Sequence, residues 1–202
     1  MKVCVVNNAS IEKFNKSIKP NLNNIDLVIF GYKTFTNINY EEEITGKQYK
    51  IKQLVNLSKE LDCILMAGSN YNLFGKLYSS IMVCEKGVLL GIADSVFPLA
   101  NKDKGKELKI FKTHLGKIGI IVNEDLFNSQ VAKTQKNFEA SFLINICDFS
   151  STKQLDEVIR LTGEKLQLNV FSLNNKCFVT YNNKNNRMQH NFSDVFTKEY
   201  KI

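Results

Sequence analysis

An α/β fold of layered sheets and helices is what this sequence predicts, on three observations. Short apolar runs rich in valine, isoleucine and phenylalanine recur between polar breaks along the 202 residues, with the length and content of strands. Longer segments with helical spacing separate several of them. Neighbouring runs in the middle are joined by tight turns, so the sheet is expected to be mixed.

In chain order, Lys2 to Val6 and Asp26 to Phe30 are the first expected strands. Ile44, Ile51, Leu54, Val55, Ser58 and Leu61 then trace one apolar helical stripe. Cys63 to Ala67, Ser80 to Cys84 and Val88 to Ala93 follow as strands, the last two meeting at Glu85-Lys86-Gly87. Leu108 to Phe111 and Lys117 to Val122 form another pair across His114-Leu115-Gly116. Val131, Thr134 and Phe138 mark a short helix, and Phe142 to Ile146 a strand. Leu155, Val158, Ile159 and Leu166 mark a further helix, and Cys177 to Tyr181 a strand. Each helix has one apolar stripe to bury, so the helices are expected to cover the sheets from outside.

One domain over residues 1–202 is expected from this length. Two prolines and ten glycines leave no obvious linker, and the run from Asn182 to Asn186 is short enough for a loop.

Charge and cysteine usage narrow the function classes. The formal charge of +7 raises a nucleic-acid partner, but the lysines are scattered and Arg160 and Arg187 are the only arginines. Phosphate forks and base reading lean on arginine, so nucleic acid is not the expected partner. Cys4, Cys63, Cys84, Cys147 and Cys177 lie singly, mostly in apolar runs, as reduced core thiols do. The opening apolar run breaks at Asn7-Asn8, too early for a signal peptide, and no run approaches membrane-spanning length. A cytoplasmic protein without a membrane partner is expected. No cluster has metal-ligand spacing and no glycine-rich phosphate loop is present, so neither metal nor cofactor is expected. His114 and His190 lie far apart in loop-like settings and suggest no catalytic pair.

The stretch Lys117-Ile118-Gly119-Ile120-Ile121-Val122-Asn123-Glu124-Asp125-Leu126-Phe127 is the most informative. An apolar strand that ends in polar residues and turns into a helix presents a side chain at the edge of a sheet, and a nucleophile is expected there. Asn123 stands in that place, and a carboxamide cannot attack. The stretch resembles the nucleophile elbow of the carbon-nitrogen hydrolases, the nitrilase superfamily, with the cysteine absent. Further stretches resemble that family in the right order. They are Asp26-Leu27-Val28-Ile29-Phe30-Gly31-Tyr32, then Tyr78-Ser79-Ser80 with Gly87-Val88-Leu89-Leu90-Gly91, then Phe138 to Ile146, and Leu173-Asn174-Asn175-Lys176-Cys177-Phe178-Val179. The specificity lies in the order and spacing of these weak motifs, over residues 2 to about 196.

The resemblance implies a four-layer αββα sandwich, usually paired across a two-fold axis, with a Glu-Lys-Cys triad at the strand ends. In that chemistry a carboxylate takes the thiol proton, the thiolate attacks an amide or nitrile carbon, and an ammonium stabilises the negative charge that develops. Carried over by position, the glutamate falls on Tyr32, the cysteine on Asn123 and the lysine most nearly on Ser95. Lys102 or Lys104 could reach inward in place of that lysine, whereas Lys33 should point away from Tyr32. Val195 and Phe196 belong to a stretch that looks like the family's Gly-x-Ser strand, after which few residues remain. That C-terminal shortening puts the homodimer in doubt.

Blander readings stand beside these. Asp125 is expected to cap the helix beginning near Phe127. Glu124 faces either a pocket or the surface, and Tyr32 is either a pocket donor or a filler. Cys147 ends a strand before an acidic residue and is expected to be a structural thiol. The leading expectation is a carbon-nitrogen-hydrolase-like protein that has lost all three triad residues and binds a small molecule or a partner. The alternatives are an amidase using displaced residues such as Lys102, Glu124 or Cys147, and a lysine-rich nucleic-acid binder.

Overall fold

The computed structural model describes residues 1–7, 9–99, 101–148, 152–182, 186–191 and 195–200. One sheet gathers β1 (Lys2–Val6), β2 (Leu27–Phe30), β3 (Ile38–Asn39), β4 (Ile64–Leu73), β5 (Lys76–Glu85), β6 (Val88–Asp94) and, from the far end of the chain, β13 (Val195–Glu199). Its strands run in the order β13-β1-β2-β4-β5-β6, with β3 beside β4. The second sheet comprises β7 (Ile110–Thr113), β8 (Gly116–Val122), β9 (Phe142–Ile146), β10 (Asn169–Leu173), β11 (Cys177–Asn182) and β12 (Asn186–Asn191). These lie in the order β12-β11-β10-β9-β8-β7. Both sheets are mixed, because β1, β2 and β4 are parallel, as are β8, β9 and β10, while hairpin neighbours run antiparallel.

The alternation of strand side chains builds the layers. Val3 and Val5, Leu27 and Ile29, and Ile64 and Met66 share one core with Ile118, Ile120, Val122, Phe142, Ile144 and Phe171 of the other sheet. The sheets therefore pack face to face. Cys4, Val28, Phe30 and Leu65 turn outward against Leu54 and Leu57 of the helix α3 (Lys50–Glu60) and against Phe14. Ile121, Leu143 and Val170 turn outward on the other side, against Val131 of α4 (Ser129–Asn137) and Leu155 and Ile159 of α5 (Thr152–Leu166). The result is the expected αββα sandwich. Its central strands, such as β2 and β9, are buried on both faces, which is why they read as unbroken apolar runs. Each such Val, Leu, Ile or Phe side chain contributes about 1.5–3 kcal/mol.

Two short helices, α1 (Ile11–Lys13) and α2 (Tyr40–Ile44), lie in the N-terminal part of the chain, α1 running on into further helical turns over Phe14–Ile18 and Lys19–Asn21. Ile44 belongs to α2 and is 63% exposed, so the α3 stripe begins at Ile51 and not before it. Phe138 is likewise 62% exposed just beyond α4, whose buried face is Val131, Ala132 and Gln135. Strands β4 and β5 run well past their apolar segments into Ser69, Asn70 and Asn72, because the hairpin closes only at Phe74 and Gly75. Both turn residues have positive φ, the combination a two-residue type I′ hairpin turn requires. Strands β3, β10 and β12 were not expected from the apolar runs. The stretch Asn183 to Asn185 in the expected loop, and Phe192 to Asp194 before β13, lie outside the described residues.

Close approach also fixes one packing contact between layers. A Cβ on Gly163 of α5 would stand 2.0 Å from Cδ1 of Tyr181, so only glycine lets that helix settle onto β11. No helix among the described residues is long and apolar enough to cross a membrane.

Candidate functional site

The polar residues that follow β2, β6, β8 and β9 come together at one end of the two sheets. Sheet edges of this kind are where α/β proteins place ligands. Strand β8 stops at Val122, and Asn123 takes a left-handed φ of 48° as the chain enters a tight helical turn, Asn123–Phe127. Asparagine tolerates that conformation better than most side chains. Its Oδ1 accepts the backbone N–H of Asp148 at 2.7 Å, and its carbonyl accepts Asn145 Nδ2 at 3.3 Å. Asn145 Nδ2 also donates to the Ile121 carbonyl at 2.9 Å, and its Oδ1 accepts the Ser172 hydroxyl at 2.7 Å. Buried polar groups on β9 and β10 thus clamp the turn after β8.

Asp125 corrects the sequence reading. It does not cap the helix after Phe127; Asn128 does, accepting Gln130 N–H at 3.1 Å. The Asp125 carboxylate instead accepts the Ser95 hydroxyl at 2.9 Å, the Val96 N–H at 2.9 Å and the Phe97 N–H at 2.7 Å. Burial pushes its carboxyl above the usual value, and these three donors oppose the shift. Ser95, on which the resemblance puts the lysine, is fully buried in this network and offers nothing to a ligand.

Tyr32 is only 4% exposed and lies in the core between the sheets. Its ring fills the space above Gly68, where a Cβ would stand 2.6 Å from Cδ2 of the tyrosine. Its hydroxyl has no hydrogen-bond partner among the described residues. Burial, and then the negative charge of Cys147, Glu124, Asp148 and Asp125 when ionised, hold the phenol well above the usual tyrosine value. A phenol in that state accepts no proton near neutrality. Lys33, the next residue, is exposed.

A cleft of about 330 Å³ opens beside these residues, lined by Asn70, Ser79, Leu99, Asn101, Lys102, Asn123, Glu124 and Asp148. Asn123 is thus the member of the three triad-equivalent positions that reaches it. Lys102 Nζ donates to Asn70 Oδ1 at 2.8 Å. Burial lowers the Lys102 pKa, while Asp148 and Glu124 act to raise it. Burial raises the pKa of Glu124, helped by Asp125 and Asp148 and opposed by its own backbone N–H and by Lys102. Lys104 lies over the Phe97 ring, 5.3 Å from its centroid, and does not line the cleft.

Cys147 does not line the cleft either. It is 1% exposed, packs with the outer face of the second sheet, and gives its thiol to the Leu173 carbonyl at 3.3 Å. His114 sits on the β7–β8 turn against Glu85, with Nδ1 2.6 Å from Oε1. Among the described residues no three His, Cys, Asp or Glu side chains are grouped to hold a metal ion.

Sequence reasoning missed Asn70, Ser79, Asn101 and Asp148 as cleft residues. The signal for Asn70 and Asp148 was available in part, since each follows an apolar run at a strand's polar end. A larger groove of about 500 Å³ lies between α4 and α5, lined mainly by apolar groups such as Leu126, Val158 and Leu161. Its charged lining groups are Lys133 and Lys165, with no carboxylate among them, whereas the cleft brings both signs together, and we take the cleft as the site.

No protein-family model and no curated protein matches the sequence. Solved structures do match the fold. The Saccharomyces cerevisiae Nit3 protein, a member of branch 10 of the nitrilase superfamily, superposes with a TM-score of 0.78 at 13% identity, over 98% of this chain and 89% of that one. A CN-hydrolase superfamily protein from Xanthomonas campestris, with an arsenic adduct in its active site, gives 0.80 at 11% identity over 98% and 89%. A carbon-nitrogen hydrolase from Helicobacter pylori gives 0.73 at 12% identity over 98% and 88%. The chain has the carbon-nitrogen hydrolase fold.

Proposed function

We propose that this protein binds a small polar molecule in the cleft and does not hydrolyse carbon-nitrogen bonds. The observation that carries this reading is Asn123, a carboxamide at the strand-to-helix turn with its oxygen committed to the Asp148 N–H. Tyr32 and Ser95 support it, the one an unionised phenol in the core and the other locked to Asp125. Catalytic units lose several orders of magnitude when a single member is removed, and all three positions carry inert groups here. What remains is a recognition surface of one ammonium, two carboxylates, carboxamides and a hydroxyl.

A hydrolytic alternative has one observation in its favour: the raised Glu124 carboxyl shares the cleft with Lys102, an acid/base arrangement that could act on water. Five buried cysteines that form no disulfide favour a reducing compartment, and we assign the protein to the cytoplasm on that ground.

Ammonia release from a panel of amides, nitriles and carbamoyl compounds separates the readings. The expected result is no turnover above the uncatalysed rate and no acyl adduct by intact mass. Turnover that disappears in Glu124→Gln or Lys102→Met would replace the binding reading with the hydrolytic one.

A further inference from the structure

We infer that the cleft selects a small molecule with a primary ammonium at one end, received by Glu124 and Asp148, and a neutral oxygen acceptor at the other, received by Lys102. The inference rests on the binding reading above and adds the ligand's chemistry to it.

The charges that converge on the cleft do not balance. Two carboxylates, Glu124 and Asp148, share it with one ammonium, Lys102. That ammonium is turned to the Asn70 carboxamide at 2.8 Å. Among the described residues no Lys, Arg or His nitrogen lies within 4.0 Å of either carboxylate. Asp148 Oδ1 takes Asn175 Nδ2 at 2.8 Å, and Glu124 has its own backbone N–H. Each carboxylate can accept about four hydrogen bonds, so most of that capacity is open. Glu124 is half-buried and Asp148 exposed, and a carboxylate partly withdrawn from water without a counter-charge, as Glu124 is, makes an unfavourable arrangement that an entering cation relieves.

Other ligand classes fit worse. An anion would meet two like charges against one opposite one. An apolar molecule would strip water from Lys102 and Glu124 and return no hydrogen bonds. A divalent cation needs about six oxygen ligands, and it would share the hollow with the Lys102 ammonium. A primary ammonium has three donors to divide between the two carboxylates. Lys102 then has donors left for a carbonyl oxygen at the ligand's other end, and Asn101 and Ser79 add hydrogen-bonding groups to the cleft lining.

Calorimetric titration of the full chain with 4-aminobutanamide, butanamide and succinamate tests this, since all three carry a primary amide on a four-carbon chain and differ in having a cationic, a neutral or an anionic other end. The expected result is a Kd for 4-aminobutanamide at least about tenfold below the other two, weakening with added salt. In Glu124→Gln that preference should vanish while cooperative thermal unfolding is kept. Equal binding of the three, preference for butanamide or succinamate, or no binding of any overturns the inference. Preference for succinamate would leave non-hydrolytic binding standing. Ammonia release from 4-aminobutanamide would sink the non-hydrolytic reading, while its affinity relative to butanamide still decides the ligand class.

Discussion

The carboxamide oxygen of Asn123 accepts the Asp148 N–H at 2.7 Å, so the turn after β8 is tied to the end of β9 by the residue that stands where a nucleophile is expected. Replacing it by cysteine separates scaffold from chemistry. Asn123→Cys loses that hydrogen bond and puts a less tolerant side chain at φ 48°, for a combined destabilisation of about 2 kcal/mol. Its thiol would line the cleft, whereas burial pushes Cys4 and Cys177 up to about 11 and Cys63 and Cys84 to about 12. Iodoacetamide should therefore leave the wild type unmodified under native conditions and add one adduct to the variant, read by intact mass. Amide hydrolysis should stay absent, because Tyr32 and Ser95 still supply neither base nor cation.

Tyr32 depends on Gly68 for its space. A Cβ there would meet the tyrosine ring at 2.6 Å and the Ile146 Cγ2 at 2.9 Å. Gly68→Ala should lower stability by about 1–3 kcal/mol through overpacking. Tyr32→Leu in the same chain should recover part of that loss, and urea denaturation of the four members of the cycle measures the coupling. Strictly additive effects would remove the contact from the explanation.

The sandwich was legible because its central strands are buried on both faces, so Leu27 to Phe30 and Ile118 to Val122 are apolar at every position. Strand β10 was missed since Ser172 breaks its run, and a buried hydroxyl makes sense only once Asn145 is seen beside it. Strand β12 is a polar edge, Asn-Arg-Met-Gln-His-Asn, with no pattern to detect. Asp125 was misread as a cap because its true partners lie about thirty residues earlier in the chain, a pairing made by the fold and not by local sequence. The cleft was half legible for the same reason: Glu124 and Lys102 could be singled out, but Asn70, which holds Lys102, is brought there by a hairpin that outruns its apolar segment.

Asn145 is the test of how the turn is held. It is fully buried, donates to two carbonyls and accepts from Ser172. Asn145→Ala would strand the Ser172 hydroxyl and leave the Ile121 and Asn123 carbonyls short of a donor, at a cost of about 2–4 kcal/mol. Ser172→Ala removes one orphan, so the double variant should lose less than the sum of the singles. Hydrogen exchange should also speed at the Asp148 amide, which the loosened turn no longer protects.

The pH dependence of stability follows from Asp94, Glu124 and Asp125, all raised first by burial. Each binds its proton more tightly folded than unfolded, so between its ordinary value near 4 and its raised value the native state holds the extra proton. Their contribution is therefore full below the ordinary carboxylate range and is lost as pH rises through the raised values. Glu139, lowered by its hydrogen bond and ion pair with Lys117, acts in the opposite sense and in a lower window, below the ordinary glutamate value. Denaturant midpoints measured upward from pH 4 should fall through the weakly acidic range, and Glu124→Gln should flatten part of that decline. A bound ammonium should flatten it too, because it stabilises the ionised Glu124 that burial opposes. A midpoint that instead rises across this range would show that these three carboxylates are already compensated in the free protein.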